Sequence, residues 1–363
     1  MSAPSDTAAD RAAEPAIPAI VVESLVKRYP HRPTNAVDGI SFTVAYGEVF
    51  GLLGPNGAGK STTIGVLTTR VRPTAGHVWV AGVNALRRPV DAKRWIAVVP
   101  QANNLDRSLT ARQNLLFHAA YHGIGGRQAA QRADSLLRQF GLEDRAADRV
   151  DRYSGGMAQR LMIARALMHE PRVLFLDEPT TGLDPQARLF VWDQLRRLNA
   201  HGLSLVLTTH DMREAEELCH RVAIVDHGRM LALGSPDELK RMAPGENTLS
   251  LAVRLDSAQT GAQPEGLLAR LRELPGITGA EREDAVASAE GGTAGPPRGQ
   301  ASPPAPEADP GRVVFRLYGE GDPLLVGAAA RVVSDAGFDL VDIRRGRVTL
   351  EDVFIHLTGR GLR

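Results

Sequence analysis

The chain has 363 residues, of which 43% are hydrophobic and 23% are charged, and its formal net charge is +1. This length is sufficient for two domains with substantial cores, and the balanced charge argues against a polyanion as the main partner. A single cysteine, Cys219, excludes an intramolecular disulfide and is typical of a protein from a reducing compartment.

The first residues, 1–18, combine alanine, proline and acidic residues without a basic start or an apolar core. This composition predicts a disordered tail rather than a signal peptide. The sequence also lacks an uninterrupted apolar run of the roughly 18 to 20 residues that a membrane-spanning helix needs. We therefore expect any role at a membrane to depend on a partner chain.

An ordered domain is predicted over 19–243. Short apolar or alternating runs predict its strands, and a helical pattern over Leu109–Ala166 predicts a helical insertion at about 102–166. The predicted fold is α/β, with a parallel sheet that has helices on both faces, an antiparallel β subdomain and the helical insertion. The runs that predict strands are AIVVESLVKRY, SFTVAYGEVFGLLG, HVWVAG, IAVVPQ, VLFLDEP, LSLVLTTH and RVAIVDHGRM.

A second, small α+β domain is predicted over 244–363. Its runs LSLAVRL and RVVFRLYG alternate as strands do, whereas GLLARLREL and PLLVGAAARVVSDAG have helical patterns. At about residues 287–311, proline, glycine and alanine dominate and little apolar material remains to bury. We expect this segment to be a disordered loop inside the second domain.

The segment GPNGAGKST has the spacing of a phosphate-binding loop, and it follows a predicted strand and opens a predicted helix. Its glycines let backbone N–H groups surround phosphates, Lys60 reaches the β and γ oxygens, and Ser61 ligates Mg²⁺. An incidental glycine-rich turn is the alternative, but the strand, the spacing and the helix together argue against it. The predicted nucleotide-binding residues of the loop are Gly54, Pro55, Asn56, Gly57, Ala58, Gly59, Lys60, Ser61 and Thr62.

Polar residues lie at the ends of three other predicted strands. VLFLDEP contains Asp177 and Glu178, IAVVPQ ends at Gln101, and LSLVLTTH ends at His210. In α/β folds the carboxyl ends of parallel strands form the edge at which ligands bind. We expect Asp177 to hold Mg²⁺ and Glu178 to polarise the water that attacks the γ-phosphate. His210 could reach the same phosphate, and Gln101 could sense nucleotide beside the metal. Singly, each residue would fit a solvated turn, a helix cap or a structural role, so the assignment depends on the loop.

A second glycine pair occurs in YSGGMAQRLMIARAL, which runs from Tyr153 to Leu167. Ser154, followed by Gly155 and Gly156, predicts a helix start whose exposed amides and positive dipole end attract an anion. A serine N-cap of an ordinary helix is the competing interpretation.

In their order along the chain, these motifs resemble the nucleotide-binding domain of ATP-binding cassette (ABC) proteins over about Ile20–Leu239. The resemblance implies ATP and Mg²⁺ as cofactors, Glu178 as the catalytic residue, and Tyr29 stacked on adenine. It also implies a head-to-tail pair of two copies, in which the Ser154–Gly156 segment of one copy caps the γ-phosphate held by the other. Asp184, in the GLDP motif, would lie at the interface of that pair.

The signature departs from the commonest family form, because Tyr153 and Met157 replace a leucine and a glutamine. The YSGGM form, the run after Gln101 and the tail TLEDVFIHLTGR resemble type-2 exporters, including daunorubicin-resistance and nodulation-factor export groups. This implies an ATPase at the cytoplasmic face of the cell membrane, bound to a separate permease, with drug or lipid efflux as a candidate role. Alternatives are a regulatory scaffold and a soluble ATPase of ribosomes or nucleic acid. The single cassette, the lack of heptads and the balanced charge disfavour the latter, so no nucleic-acid partner is expected.

Overall fold

The computed structural model describes residues 18–255, 264–283, 312–320 and 325–358. Apart from Pro18, the tail predicted over 1–18 lies outside the described residues, as does the loop predicted at about 287–311. The chain forms two compact units, Met1–Ala232 and Leu233–Arg363. The boundary predicted from the sequence, after residue 243, lies 11 residues beyond the boundary between these units.

The first unit contains two sheets with helices around them. Short 3-10 turns lie at Glu143–Arg145 and Val150–Arg152. In chain order its other elements are β1 (Ile20–Lys27), β2 (Val37–Val44), β3 (Val49–Leu53), α1 (Lys60–Leu67), β4 (Ala75–Val80), β5 (Val83–Asn84), α2 (Pro89–Lys93), β6 (Ile96–Val99), α3 (Ala111–Tyr121), α4 (Gly126–Gln139), α5 (Gly155–Ala166), β7 (Val173–Asp177), α6 (Pro185–Ala200), β8 (Ser204–Thr209), α7 (Met212–Leu218), β9 (Arg221–Asp226) and β10 (Arg229–Gly234), which runs into the second unit.

A six-stranded sheet forms the centre of this unit, in the order β10-β9-β3-β8-β7-β6. All neighbours from β9 to β6 pair in parallel, and these strands are largely buried, as parallel strands between two helical layers are. The α/β prediction is therefore confirmed. Because the strands run in one direction, Gly54, Gln101, Glu178 and His210 all follow strand ends at the same edge of the sheet.

A four-stranded sheet of order β2-β1-β4-β5 forms the predicted antiparallel subdomain. The predicted helical insertion consists of α3, α4 and α5, which pack on one another. Helix α3 begins at a capping box, in which the Thr110 side chain accepts from the Gln113 amide and the Gln113 side chain accepts from the Thr110 amide.

A turn divides RVAIVDHGRM, which the sequence predicts as one strand, and another turn separates the strand-like runs of SFTVAYGEVFGLLG. RVAIVDHGRM forms β9 and β10, because His227 and Gly228 between them take φ values of 46° and 78°. Consecutive left-handed residues produce the tight turn of a hairpin. SFTVAYGEVFGLLG divides into β2 and β3 around Gly47, whose φ is 71°. The prediction of one continuous strand over RVAIVDHGRM was wrong because both flanks of its turn keep a strand-like apolar pattern.

The second unit is an α+β domain, as predicted. Its antiparallel sheet has the order β12-β13-β11-β14, and α9 and α10 pack on it. None of the helices in the described ranges has the length and apolar character of a bilayer-spanning helix. The elements are α8 (Pro236–Lys240), β11 (Asn247–Leu255), α9 (Pro264–Arg272), β12 (Ile277–Glu283), β13 (Arg312–Gly319), α10 (Leu325–Asp335), β14 (Phe338–Arg347) and α11 (Leu350–Thr358).

Candidate active site

The glycine loop joins β3 to α1, and its backbone leaves no room for a side chain at two positions. A Cβ on Gly54 would lie 2.1 Å from the Val225 carbonyl oxygen, and one on Gly59 would lie 2.4 Å from the Ala36 carbonyl oxygen. Gly59 is also the N-cap of α1, with φ of 104°. The first amides of a helix lack intrahelical partners, so this loop offers N–H donors and a positive dipole end to an anion.

Lys60 lies inside this loop and is only 5% exposed. Its Nζ donates to the carbonyl oxygens of Gly54, at 2.6 Å, and of Pro55, at 3.0 Å. Burial lowers the pKa of Lys60, and the Glu178 and Asp177 carboxylates oppose that shift. Since Nζ also lies 3.9 Å from Glu178 Oε1, the loop holds the ammonium beside the acidic residues.

Asp177 is the last residue of β7. Its Oδ1 accepts hydrogen bonds from Ser61 Oγ, at 3.3 Å, and from Thr208 Oγ1, at 2.5 Å. The adjacent hydroxyl and carboxylate are hard oxygen donors, which fit Mg²⁺. The predicted pair of metal-binding residues, Ser61 and Asp177, is therefore brought together by the fold.

Thr208 is a site residue that sequence reasoning missed. It lies on β8 directly opposite Asp177 and is fully buried. The Glu178 amide donates to its Oγ1 at 3.1 Å and to its carbonyl oxygen at 3.0 Å. The available signal was a hydroxyl next to the end of an otherwise apolar strand.

Glu178 is at the centre of a side-chain cluster and is 9% exposed. Its Oε2 accepts hydrogen bonds from Gln101 Nε2, at 2.9 Å, and from Thr181 Oγ1, at 3.1 Å. Its Oε1 lies 3.2 Å from His210 Nδ1. The fold thus brings together the three polar strand ends that the sequence singles out. Because Gln101 uses its side-chain nitrogen in this contact, its side-chain amide oxygen can serve as a further metal ligand.

The Ser154–Gly156 segment begins α5. Ser154 is the N-cap, and its Oγ accepts from the Met157 amide at 3.3 Å, while its hydroxyl proton remains available to another acceptor. A Cβ on Gly156 would lie 2.9 Å from that of Ala187, but a Cβ on Gly155 would meet nothing within 4 Å. Packing inside the chain therefore explains why residue 156 is a glycine. It does not explain Gly155, which is exposed.

The two remaining predicted site residues and the unusual signature tyrosine lie at three separate positions. Tyr29 is 37% exposed, with its hydroxyl 3.5 Å from Thr62 Oγ1 at the end of the glycine loop. Asp184 is the N-cap of α6 and accepts from the Ala187 amide at 2.8 Å. Tyr153 donates to the Arg145 carbonyl oxygen at 2.8 Å, and burial raises its pKa to about 12. The unusual signature tyrosine thus has a structural contact within the helical insertion.

Comparison with known proteins places these features in a family. Residues 37–181 match the ABC transporter family. The daunorubicin resistance ATP-binding protein DrrA3 of Streptomyces coeruleorubidus is 38% identical over 341 residues, which cover 94% of this chain and 96% of that protein. The Nod factor export ATP-binding protein I of Paraburkholderia xenovorans (strain LB400) is 48% identical over 221 residues, or 61% of this chain and 72% of that protein.

One similar solved structure is a dimeric ATP-binding cassette in a post-hydrolysis state, with ADP and phosphate bound. Its TM-score is 0.55 at 26% sequence identity, and the match covers 60% of this chain and 98% of the cassette chain. Both relatives above are ATP-binding proteins of export or resistance systems, not ATPases of ribosomes. The chain therefore belongs to the ATP-binding subunits of ABC transporters, and its activity is ATP hydrolysis.

Proposed function

We propose that this chain works as a head-to-tail pair that hydrolyses ATP beneath a separate permease, at the cytoplasmic face of the membrane, to power export. The observation that carries the proposal is the position of Glu178. Its carboxylate lies within 3.9 Å of polar atoms of Lys60, Gln101 and His210. A shielded carboxylate beside a phosphate loop is suited to accept a proton from an attacking water.

Each group around Glu178 has a separate part in the reaction. Glu178 takes one proton of the water as the water oxygen attacks the γ-phosphorus, and the bond from that phosphorus to the β–γ bridging oxygen breaks to release ADP and phosphate. Gln101 and His210 orient the carboxylate and its water. Lys60 and the loop amides stabilise the charge on the phosphoryl oxygens. Ser61, Asp177 and the Gln101 side-chain amide oxygen would hold Mg²⁺, which neutralises phosphate charge when it is bound.

The start of α5 supports pairing between two copies. The exposed Gly155 leaves room for a phosphate to approach the backbone, and the Ser154 hydroxyl has a proton to donate. The helix dipole favours the negative charge of that phosphate. In the proposed pair these groups act on ATP held by the other copy, Tyr29 stacks on its adenine, and Asp184 lies at the interface.

The outer face of α3 supports a contact with a permease. Phe117 and Tyr121, one helical turn apart, are 63% and 85% exposed. Adjacent large apolar side chains on a surface are typical of interaction sites. We assign this face to a cytoplasmic helix of the permease. For the cargo, the names of the two relatives favour an antibiotic or a lipid-like molecule.

Co-expression with a candidate permease chain tests this assignment. In the double variant Phe117→Ser, Tyr121→Ser, we expect the chain to lose co-purification with the permease from membranes while keeping its own ATP binding, because neither side chain belongs to the site. Val90→Ser, at a residue that is 69% exposed on α2, is the matched control and should still co-purify. Full retention of the double variant on the permease would contradict the assignment.

A further inference from the structure

Three histidines form a cluster in the first unit. His118 lies in the last turn of α3, and His122, four residues later, directly follows that helix. His169 follows α5. One ring nitrogen of each lies within 4.8 Å of one ring nitrogen of both others. His169 also contacts Ile96, at the end of β6 opposite to Gln101. The cluster is therefore separate from the ATP site.

Two of the ring nitrogens have no partner. His169 Nε2 lies 2.9 Å from the Ile96 carbonyl oxygen, so it carries the ring proton and donates it, which leaves a lone pair on Nδ1. That Nδ1 and the Nε2 of His118 are both buried and without a hydrogen bond. Buried polar atoms are rarely left unpaired, because this costs free energy. A histidine oriented by a backbone carbonyl, with its other nitrogen bare, has the arrangement of a metal ligand.

Burial, and after it the neighbouring charges, favour the neutral form of the three imidazoles. Burial lowers the pKa of all three histidines, and that of His118 falls to about 4. Neutral imidazole is the form that binds metals. The Arg165 charge also acts on His118 and the Arg132 charge on His169. Arg132 is paired with Glu170, and the Arg165 guanidinium donates to the Asn104 carbonyl oxygen at 3.0 Å.

We propose that His118, His122 and His169 bind one divalent transition-metal ion of the Zn²⁺ type, with water as the fourth ligand. A set of three imidazoles suits Zn²⁺, Cu²⁺ or Ni²⁺ and does not suit Mg²⁺ or Ca²⁺. Nitrogen ligands of tetrahedral zinc lie roughly 3.3 Å apart, so the donor atoms need to close by about 1.5 Å at most. The rings of His122 and His169 are stacked with their centres 3.8 Å apart, so one of the two rings has to rotate out of this stack before both can ligate one ion.

The ion would join the end of α3 to the segment after α5. These are two of the three helices of the insertion, and Ser154 is the N-cap of α5. Bound metal therefore stabilises the helical insertion without contacting nucleotide.

Equilibrium dialysis of the untagged full-length chain, first stripped of metal, tests the site with Zn²⁺ in an excess of Mg²⁺. We expect one Zn²⁺ per chain in the wild type, and binding weaker by at least about tenfold in His122→Gln and in His169→Gln. His77→Gln, at an exposed histidine outside the cluster, is the control and should bind as the wild type does. Zn²⁺ should raise the melting temperature of the wild type and of the control only.

Two results would overturn the proposal: no Zn²⁺ binding by the wild-type chain, or equal binding by the wild type and both glutamine variants. Circular dichroism and melting without metal establish that each variant folds, and a folded variant of either position is sufficient for the comparison. Visible absorption of bound Co²⁺ provides a second readout, because a tetrahedral nitrogen site gives a spectrum that loss of a ligand removes.

Discussion

Glu178 has a left-handed backbone conformation, with φ of 49°, immediately after a buried strand. For a residue other than glycine this conformation costs about 1–3 kcal/mol, and such strain is concentrated at functional sites. Here the two hydrogen bonds from its amide to Thr208 hold the chain in that turn. The turn brings the carboxylate against Gln101 and His210, which come from two other strands.

Replacing this carboxylate by an amide of the same shape tests its role as proton acceptor. We expect Glu178→Gln to lower turnover by roughly 10²- to 10⁴-fold and to leave ATP binding intact, because Lys60 and the loop are unchanged. Paired chains with bound ATP should then accumulate, which size-exclusion chromatography detects. Glu143→Gln, at an exposed acid in a 3-10 turn, is the control. Undiminished phosphate release by Glu178→Gln would refute the assignment.

Thr208→Val removes one hydroxyl without changing the side-chain shape. Asp177 then loses its 2.5 Å hydrogen bond. A hydrogen bond to a charged group is worth about 1.5–3 kcal/mol, so we expect turnover to fall by about tenfold or more and the Mg²⁺ requirement to rise. Magnesium titrations of ATPase activity measure both changes. Thr68→Val, at a buried threonine whose hydroxyl bonds within α1, is the control; an equal effect there would mean that the loss is general destabilisation.

At the level of elements, β3 packs against the end of α7 through a glycine and a cysteine. A Cβ on Gly51 would lie 2.7 Å from Cys219 Sγ. Burial raises the pKa of the Cys219 thiol, so this side chain acts as a small apolar filler and not as a nucleophile. The strand that leads into the glycine loop is thus fixed by a contact that admits no extra methyl group.

Gly51→Ala should destabilise the chain by about 1–3 kcal/mol, because the added methyl group overpacks this contact. In a Cys219→Ala background the same substitution should cost much less, since the sulfur atom is gone. Urea unfolding of the four chains in this cycle gives both values. The packing account fails if the cost of Gly51→Ala is equal in the two backgrounds.

Sequence patterns predicted the strand runs along the chain and the glycine loop because buried parallel strands and phosphate loops have strong local signals. The hairpin turn at His227 was missed, since its left-handed conformation depends on the pairing of β9 and β10 and not on a local glycine–asparagine pattern. Thr208 was missed for a related reason. Its role comes from pairing with Asp177 across two strands, and no local pattern records which strands are neighbours.

For the whole molecule, the central question is where the second half of the ATP site comes from. One chain has a glycine loop that holds Lys60 beside Glu178, and a separate helix start at Ser154 with an exposed glycine. If two copies pair head to tail, each loop is completed by the helix start of the other copy. The dimeric cassette with ADP and phosphate that resembles this chain is consistent with pairing.

Mixing two inactive variants tests this account most directly. Lys60→Ala damages the loop and Ser154→Arg damages the helix start, so each pure variant should be nearly inactive. In a mixed head-to-tail pair, one site combines the intact Lys60 of one chain with the intact Ser154 of the other. Half of random pairs are mixed and one of their two sites is intact, so an equal mixture should recover up to about a quarter of the wild-type ATPase rate. A mixture that stays as inactive as the separate variants would contradict the account.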